Sequence, residues 1–241
     1  MFWYFSRQSS NIVDIFADYL PLRTINMNNT DKSKIKRVPK RAHYDQETIY
    51  KVLDAGQICH VGFVHNGHPV VIPTIYGRSE NKLFIHGAAV SRLIVALEKG
   101  IDISLSVAHV DGLVLARSAF HHSMNYRSVV VFGRAKLVGD QDKNEALKII
   151  SDHLIPGRWE EVRQPNRKEL KATKVLEIAI DEASAKIRTG GPVDDKEDYE
   201  LNIWAGVIPM NTIALEPIED EKLKPGLIAP KSVNDYVLSH G

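Results

Sequence analysis

The chain has 241 residues and a single cysteine, Cys59. One thiol cannot build an internal disulfide framework or a zinc site of several thiolates, and it fits a reducing, cytoplasmic compartment. No run of residues approaches the roughly 18 to 20 apolar positions needed to span a membrane. Neither sign of charge dominates, with 31 Lys and Arg against 30 Asp and Glu. A net charge of +1 supplies no field that would draw nucleic acid or an anionic membrane, and neither is expected as a partner. The phosphate loop, the His-Glu-x-x-His zinc helix, the Gly-x-Ser-x-Gly elbow and the dinucleotide fingerprint are all missing. What remains, 44% apolar and 25% charged, is the composition of a folded globular protein with a full core.

Residues 1–40 read as a disordered or basic extension. The first thirty begin Met1-Phe2-Trp3-Tyr4 and carry Asp14 and Asp18 against Arg7 and Arg23, atypical for an Arg-rich, acid-poor mitochondrial transit peptide. Met27 offers a second start, followed by a basic arm of Lys32, Lys34, Lys36, Arg37 and Lys40.

Order is expected from Asp45, which caps a helix presenting Ile49, Val52 and Leu53, with Gly56 as its stop. A hairpin follows: Ile58 to His65, the type I′ turn Asn66-Gly67, and Pro69 to Tyr76. Lys82 to His86 reads as a third strand, and Val90 to Lys99 as a helix stopped by Gly100. Next come a strand from Ile103 to Val110, a turn at Asp111-Gly112, its partner Leu113 to Ala116, and a long strand from Tyr126 to Val138. A helix over Gln141 to Leu154 precedes a strand over Lys174 to Ile180; Ile187 and Trp204 to Leu215 supply edge or closing strands. Seven or eight short strands with a few helices make a small, mainly β barrel with helical decoration, an α+β fold spanning 41–216, before a C-terminal tail at 217–241.

Three clusters carry chemistry, each beside a plainer alternative. In His86-Gly87-Ala88-Ala89-Val90-Ser91-Arg92 a strand gives way to a helix, placing backbone N–H groups, a hydroxyl and a guanidinium where a phosphate could sit. Alternatively Ser91 only caps the helix and Arg92 is a solvated charge. Asn125-Tyr126-Arg127-Ser128 adds a second guanidinium and hydroxyl, or Arg127 is a surface charge. Ile72-Pro73-Thr74-Ile75-Tyr76 contains a proline that confines it to an edge or bulge, where free backbone could meet a flat heterocycle, or it is an ordinary edge strand. His60, His65 and His68 flank a tight turn and His121-His122 are neighbours, so no metal site is assigned. Ser118 or Ser123 beside His121 lacks an identifiable acid and oxyanion loop for hydrolysis.

Several stretches, in order, resemble a known family: Arg41-Ala42-x-Tyr44-Asp45, His65-Asn66-Gly67-His68-Pro69-Val70-Val71-Ile72-Pro73-Thr74, Leu83-Phe84-Ile85-His86-Gly87, the run Leu115 to Ser123, Tyr126-Arg127-Ser128-Val129 and Trp204-Ala205-Gly206-Val207. The segment from Arg41 to Pro209 is similar to the FMN-binding split-barrel superfamily, in the branch of pyridoxamine 5′-phosphate oxidase-related, flavin-nucleotide-binding and nitroimidazole-resistance proteins. The resemblance implies a six-stranded split barrel that forms a homodimer, with FMN in a cleft between subunits. It implies that Val71, Ile72, Pro73, Thr74, Ile75 and Tyr76 line the flavin, that His86, Gly87, Ser91 and Arg92 hold the phosphate, and that Arg127 and Ser128 reach the flavin. His86, next to the flavin or substrate pocket in the nitroimidazole-resistance branch, is the candidate catalytic residue, as a donor or proton relay.

One departure narrows the activity. True pyridoxamine phosphate oxidases carry an Arg-Leu-His-Asp-Arg type motif after the segment resembling Trp204, whereas Pro217 to Gly241 contains no arginine. Lysine lacks the bidentate fork for a phosphate, so vitamin B6 oxidation is not expected. Three functions of different class stay open: an FMN-dependent oxidoreductase with an unidentified small-molecule substrate, a flavin-binding module without turnover, and a haem-binding relative using a histidine such as His86 or His121.

Overall fold

The computed structural model describes residues 27–241, so readings that fall on residues 1–26 lie outside the described residues. From Met27 the chain is packed rather than loose. The Met27 side chain is buried in the core, its N–H donates to Tyr44 O at 2.8 Å, and Asn28 N–H donates to Asp181 O at 3.0 Å. The basic run through Lys40 is therefore the solvated side of a segment pinned to the barrel.

The elements follow in chain order as β1 (Ala42–His43), α1 (Gln46–Asp54), β2 (Ile58–His65), β3 (His68–Ile75), β4 (Gly77–Ser79), β5 (Lys82–Ala88), α2 (Arg92–Leu97) and β6 (Asp102–Leu115). Then come β7 (Ser123–Leu137), α3 (Lys143–Leu154), α4 (Arg167–Ala172), β8 (Thr173–Ala179), β9 (Glu182–Arg188), β10 (Gly206–Pro209) and α5 (Lys231–His240). Local chemistry accounts for the early ones. Asp45 caps α1 by accepting from Thr48 N–H at 2.8 Å, and Asn66 and Gly67 adopt φ of 50° and 79°, as a type I′ turn requires.

The sheet runs β3-β2-β6-β7-β8-β5-β4, with β10 on β6, β9 on β7 and β1 on β9, every pair antiparallel. β7 changes partner along its length, pairing with β9 over Tyr126–Phe132 and with β8 over Ala135–Leu137. That change of partner splits the barrel. Ten strands stand where the residue pattern gave seven or eight and the resemblance six: Ile187 and the Trp204 segment do supply β9 and β10, whereas β1 and β4, of two and three residues, are too short for alternation to reveal.

Two more expectations are corrected. Asp111-Gly112 is not a turn: β6 continues to Leu115 through a bulge between Val110 and Gly112. Gly112 is needed for closeness instead, since a Cβ there would lie 2.9 Å from Ile208 O of β10. Of the proposed Trp204–Leu215 strand only Gly206–Pro209 pairs, and the C-terminal tail ends in α5, whose Ser232 N–H donates to Glu161 at 3.1 Å.

Alternation divides each central strand into an inward and an outward set. Val61, Phe63, Ile103, Leu105, Val107, Val129, Val131, Ala183 and Ala185 point in and form the main core with α1 and α2. Phe84, Val138, Ala146, Ile150 and Val175 form a second cluster under α3. Cys59 is fully buried, which pushes its thiol pKa up to about 12, so it serves as a small apolar side chain.

Candidate functional site

The outward set of the central sheet is unusual for a face turned to solvent. Register places Val71, Gly62, Ser104, Phe132 and Glu182 in one row, Pro73, His60, Ser106, Val130 and Ser184 in the next, and Ile75, Ile58, Ala108, Ser128 and Lys186 in a third. Side chains directly opposite in an antiparallel pair share a face. The three rows are small or apolar over most of their width. Val71 and Ile58 are 65% and 53% exposed, and a groove of about 440 Å³ is lined by Gly62, Val64, Val71, Ser104 and Phe132. A face of small side chains with exposed apolar residues and a groove is a place where a ligand or partner can sit.

The β5–α2 turn lies at the edge of the same face. β4 carries β3 onward and pairs with β5 through Gly77 and Phe84. Continuing that register two residues brings His86 alongside Ile75, on the side of Phe84 and Val175. His86, Ile75 and Ser128 therefore share one surface. Four strand spacings of about 4.8 Å separate its ends, on the order of 19 Å along the sheet.

His86 is half-buried, and its Nδ1 is shielded from solvent without a hydrogen-bond partner among the described residues. Burial lowers its pKa and favours the neutral imidazole. The neighbouring turn has the plainer function as well as the proposed one. Ser91 Oγ accepts from Ile94 N–H at 3.4 Å as the α2 cap, and a Cβ at Gly87 would lie 3.1 Å from Ile94, so glycine lets α2 sit against β5. Arg92 is exposed with no ion pair among the described residues, leaving its guanidinium available.

Other residues named from the sequence are committed elsewhere. Ile72 packs against the main core and Thr74 faces inward opposite buried Cys59, so of the β3 residues named from the sequence Val71, Pro73 and Ile75 are on the outward side, and Ile75 there packs partly against the cluster under α3. Tyr76 is fully buried and its hydroxyl donates to Leu53 O, which removes it from any ligand surface. Arg127 is paired with Asp111 by contacts of 2.8 to 3.1 Å, so its guanidinium already has a counter-ion. Ser128 Oγ donates to Lys186 O at 3.3 Å and still lies on the shared face.

Sequence reasoning missed the region beyond β9. Arg117 pairs with the fully buried carboxylate of Asp194 at 3.1 Å, which also accepts from Arg117 and Ser118 N–H and so clips two loops together. His121 Nε2 lies 3.2 Å from Asp195, and these two with Asp198 place ligand-type atoms within 4.8 Å of one another at the surface. His122 Nδ1 accepts from Ala116 N–H at 3.0 Å, which puts its ring proton on Nε2. No spacing in the sequence signals the contacts to Asp194 and Asp195, because their partners are 74 to 77 residues apart.

Histidine burial gives the fold a pH dependence. His86 and His153 both have pKa values below 6.5, chiefly through burial, with His153 Nε2 2.7 Å from Gly56 O. The unfolded chain binds protons first as pH falls, so this stability is complete above about pH 6.5 and is lost as pH drops through the lower folded values. The urea midpoint should fall between pH 7.5 and 5, and His153→Gln should flatten the slope; an unchanged slope would remove His153 from the effect.

A family model described as pyridoxamine 5′-phosphate oxidase matches residues 45–187. Among solved structures, the flavocytochrome Anf3 from Azotobacter vinelandii is 43% identical, with 86% of this chain and 97% of that one covered and a TM-score of 0.82. The FAD and heme binding protein from Mycobacterium smegmatis is 37% identical over 81% of this chain and 97% of its own, with a TM-score of 0.79. A candidate 5-nitroimidazole antibiotic resistance protein from Bacteroides thetaiotaomicron, 20% identical over 61% of this chain and 86% of its own, shares the fold with a TM-score of 0.52. No curated protein matches the chain. The matched segment runs from the cap of α1 through the end of the barrel in β9, the elements that build the split sheet and its outer face; the chain belongs to the pyridoxamine 5′-phosphate oxidase family.

Proposed function

We propose that the chain is a homodimeric flavin- and haem-binding redox protein. The observation that carries this reading is the likeness, over nearly the whole length of both partners, to a flavocytochrome and to an FAD- and haem-binding protein. The chain's own residues fit a flat, anionic ligand: a small-residue sheet face, a neutral His86 with an unpartnered nitrogen, and the free guanidinium of Arg92 at its edge. Val71, Pro73, Ile75 and Ser128 would contact the ring system, and Ser91 with Arg92 would hold a phosphate. FMN is the simplest flavin for this surface, and the mycobacterial relative makes FAD the alternative to test.

Bound flavin and haem supply electron transfer, while the protein supplies position, dielectric and charge. The apolar rows exclude water from one face of a bound ring system. His86 holds or moves a proton at its unpartnered Nδ1, where burial keeps the imidazole neutral. A second copy on the outer face would cover the exposed apolar rows, giving an isologous interface.

The purified protein should show oxidised-flavin bands together with a Soret band, and acid release should identify FMN or FAD by chromatography. Protein that takes up neither group from a mixture of flavins and haemin would overturn the reading. Arg92→Ala should weaken flavin nucleotide binding by about 1.5 to 3 kcal/mol, the range for a charge-assisted hydrogen bond, while leaving riboflavin affinity unchanged. Equal losses for both would show that Arg92 does not meet the phosphate. His86→Asn should retain flavin and slow electron transfer to an added acceptor; full turnover in that variant would end its catalytic assignment.

A further inference from the structure

Arg188 ends β9 in an unusual setting for an arginine. The residue is 6% exposed, yet no carboxylate forms an ion pair with it among the described residues. Its guanidinium is held by neutral acceptors: Asn125 Oδ1, Gly190 O at 3.2 Å and Gly191 O at 3.0 Å. Nε is buried and has no partner. Arg117 is the other arginine with an unpartnered buried Nε, and it has Asp194 as a counter-ion.

Two titratable groups act on Arg188: a second cation, Arg41, and, in the opposite direction, the Tyr126 hydroxyl on the facing strand. β1 pairs with β9 through Ala42 and Lys186, so Arg41, one residue earlier, lies beside the end of β9. Burial and the Arg41 charge both lower the pKa of Arg188, burial the more strongly. A buried guanidinium near a second cation, with no carboxylate paired to it among the described residues, is unfavourable unless something negative joins it.

The cover over Arg188 is thin. It is the loop Thr189-Gly190-Gly191-Pro192, in which Gly190 has φ of 92°, and a Cβ built on either glycine would meet nothing within 4 Å. The outer side of this loop is open. Its two carbonyls turn inward to the guanidinium, and an incoming oxyanion could replace them without disturbing the core.

We propose that Arg188 and Arg41 form an oxyanion seat under the Thr189–Pro192 loop, taking a phosphate or carboxylate group carried by the bound cofactor. The seat rests on the flavin and haem reading for the source of its anion, but not for its existence. Its position follows from register: Arg188 lies opposite Tyr126, two residues from Ser128 on the shared face. Unlike Arg127, which pairs with Asp111, Arg188 is a cation without a carboxylate partner beside the start of β7.

The experiment uses the full chain, freed of cofactor, with inorganic pyrophosphate as the free-anion probe. Pyrophosphate should raise the unfolding temperature saturably in the parent protein and fail to do so in Arg188→Gln. If the anion is the flavin phosphate, which would then lie at this end of the face and not at Arg92, Arg188→Gln should weaken FMN or FAD binding by about 10- to 100-fold and leave riboflavin unchanged, and Arg92→Ala should have no effect. If it is a haem carboxylate, the loss should fall on haem and be absent with haem dimethyl ester. Arg41→Gln, on the flank of the seat, should reproduce the lost pyrophosphate response if Arg188→Gln does not fold. A parent protein indifferent to pyrophosphate, or variants that keep its response and all affinities, would overturn the seat and show Arg188 to be only a loop anchor. A parent protein that responds to pyrophosphate but binds neither flavin nor haem would keep the seat and overturn the cofactor reading.

Discussion

Val130→Glu is expected to turn the proposed dimer into a folded monomer that no longer retains flavin. Val130 sits near the middle of the outer face, in the row of Pro73, His60, Ser106 and Ser184. In an isolated chain this side of the sheet meets water, so glutamate there costs the monomer little. Against a second copy the same carboxylate would be desolvated without a cation among its row neighbours, and an unpaired buried charge costs several kcal/mol. A penalty of about 3 kcal/mol or more corresponds to a dissociation constant raised over 100-fold, enough to separate subunits at micromolar concentration. Sedimentation velocity and flavin content would report the two effects together. A dimer that persists with its flavin would show that the apolar rows are covered by something other than a second copy.

Gly77→Ala should be the most damaging conservative change in the fold. A Cβ at Gly77 would lie 2.7 Å from both Ile149 O and Ile150 Cα and 2.8 Å from Ile150 N. These are backbone atoms of α3, which cannot rotate aside as a side chain would. The helix must move as a body, opening the cluster of Phe84, Val138, Ala146, Ile150 and Val175 that it covers. The expected cost is about 3 kcal/mol or more, at or beyond the upper end for overpacking by one methyl group. Gly133→Ala is the control, because its nearest neighbour is Ala179 O at 3.7 Å, an ordinary contact. A urea midpoint for Gly77→Ala matching that of Gly133→Ala would refute the close-packing argument.

The contrast between these two glycines also separates what the chain discloses in one dimension from what it discloses in three. Their sequence neighbourhoods give no ground for ranking them. Only the approach of α3, more than 70 residues further on, makes Gly77 indispensable. The same distinction runs through the candidate site. His86, Ser91 and Arg92 were legible because a strand, a glycine and a helix cap occur within seven residues, and such turns have local causes. Arg127 was equally conspicuous, but Asp111, on the facing strand, neutralises it.

By itself, the sequence determined the barrel class, the first hairpin, the cap of α1 and the α2 turn, because apolar period, turn residues and caps act over a few positions. Tertiary structure decided which face of β3 is free, that β6 continues through Asp111-Gly112 by a bulge, and that Arg188, unlike Arg127, is a buried cation without a carboxylate partner among the described residues. Those outcomes depend on which strands become neighbours. Pairing brings together residues as far as 144 positions apart, as Ala42 and Lys186 are, and burial then sets the energetic value of each charge, so neither can be read from local spacing.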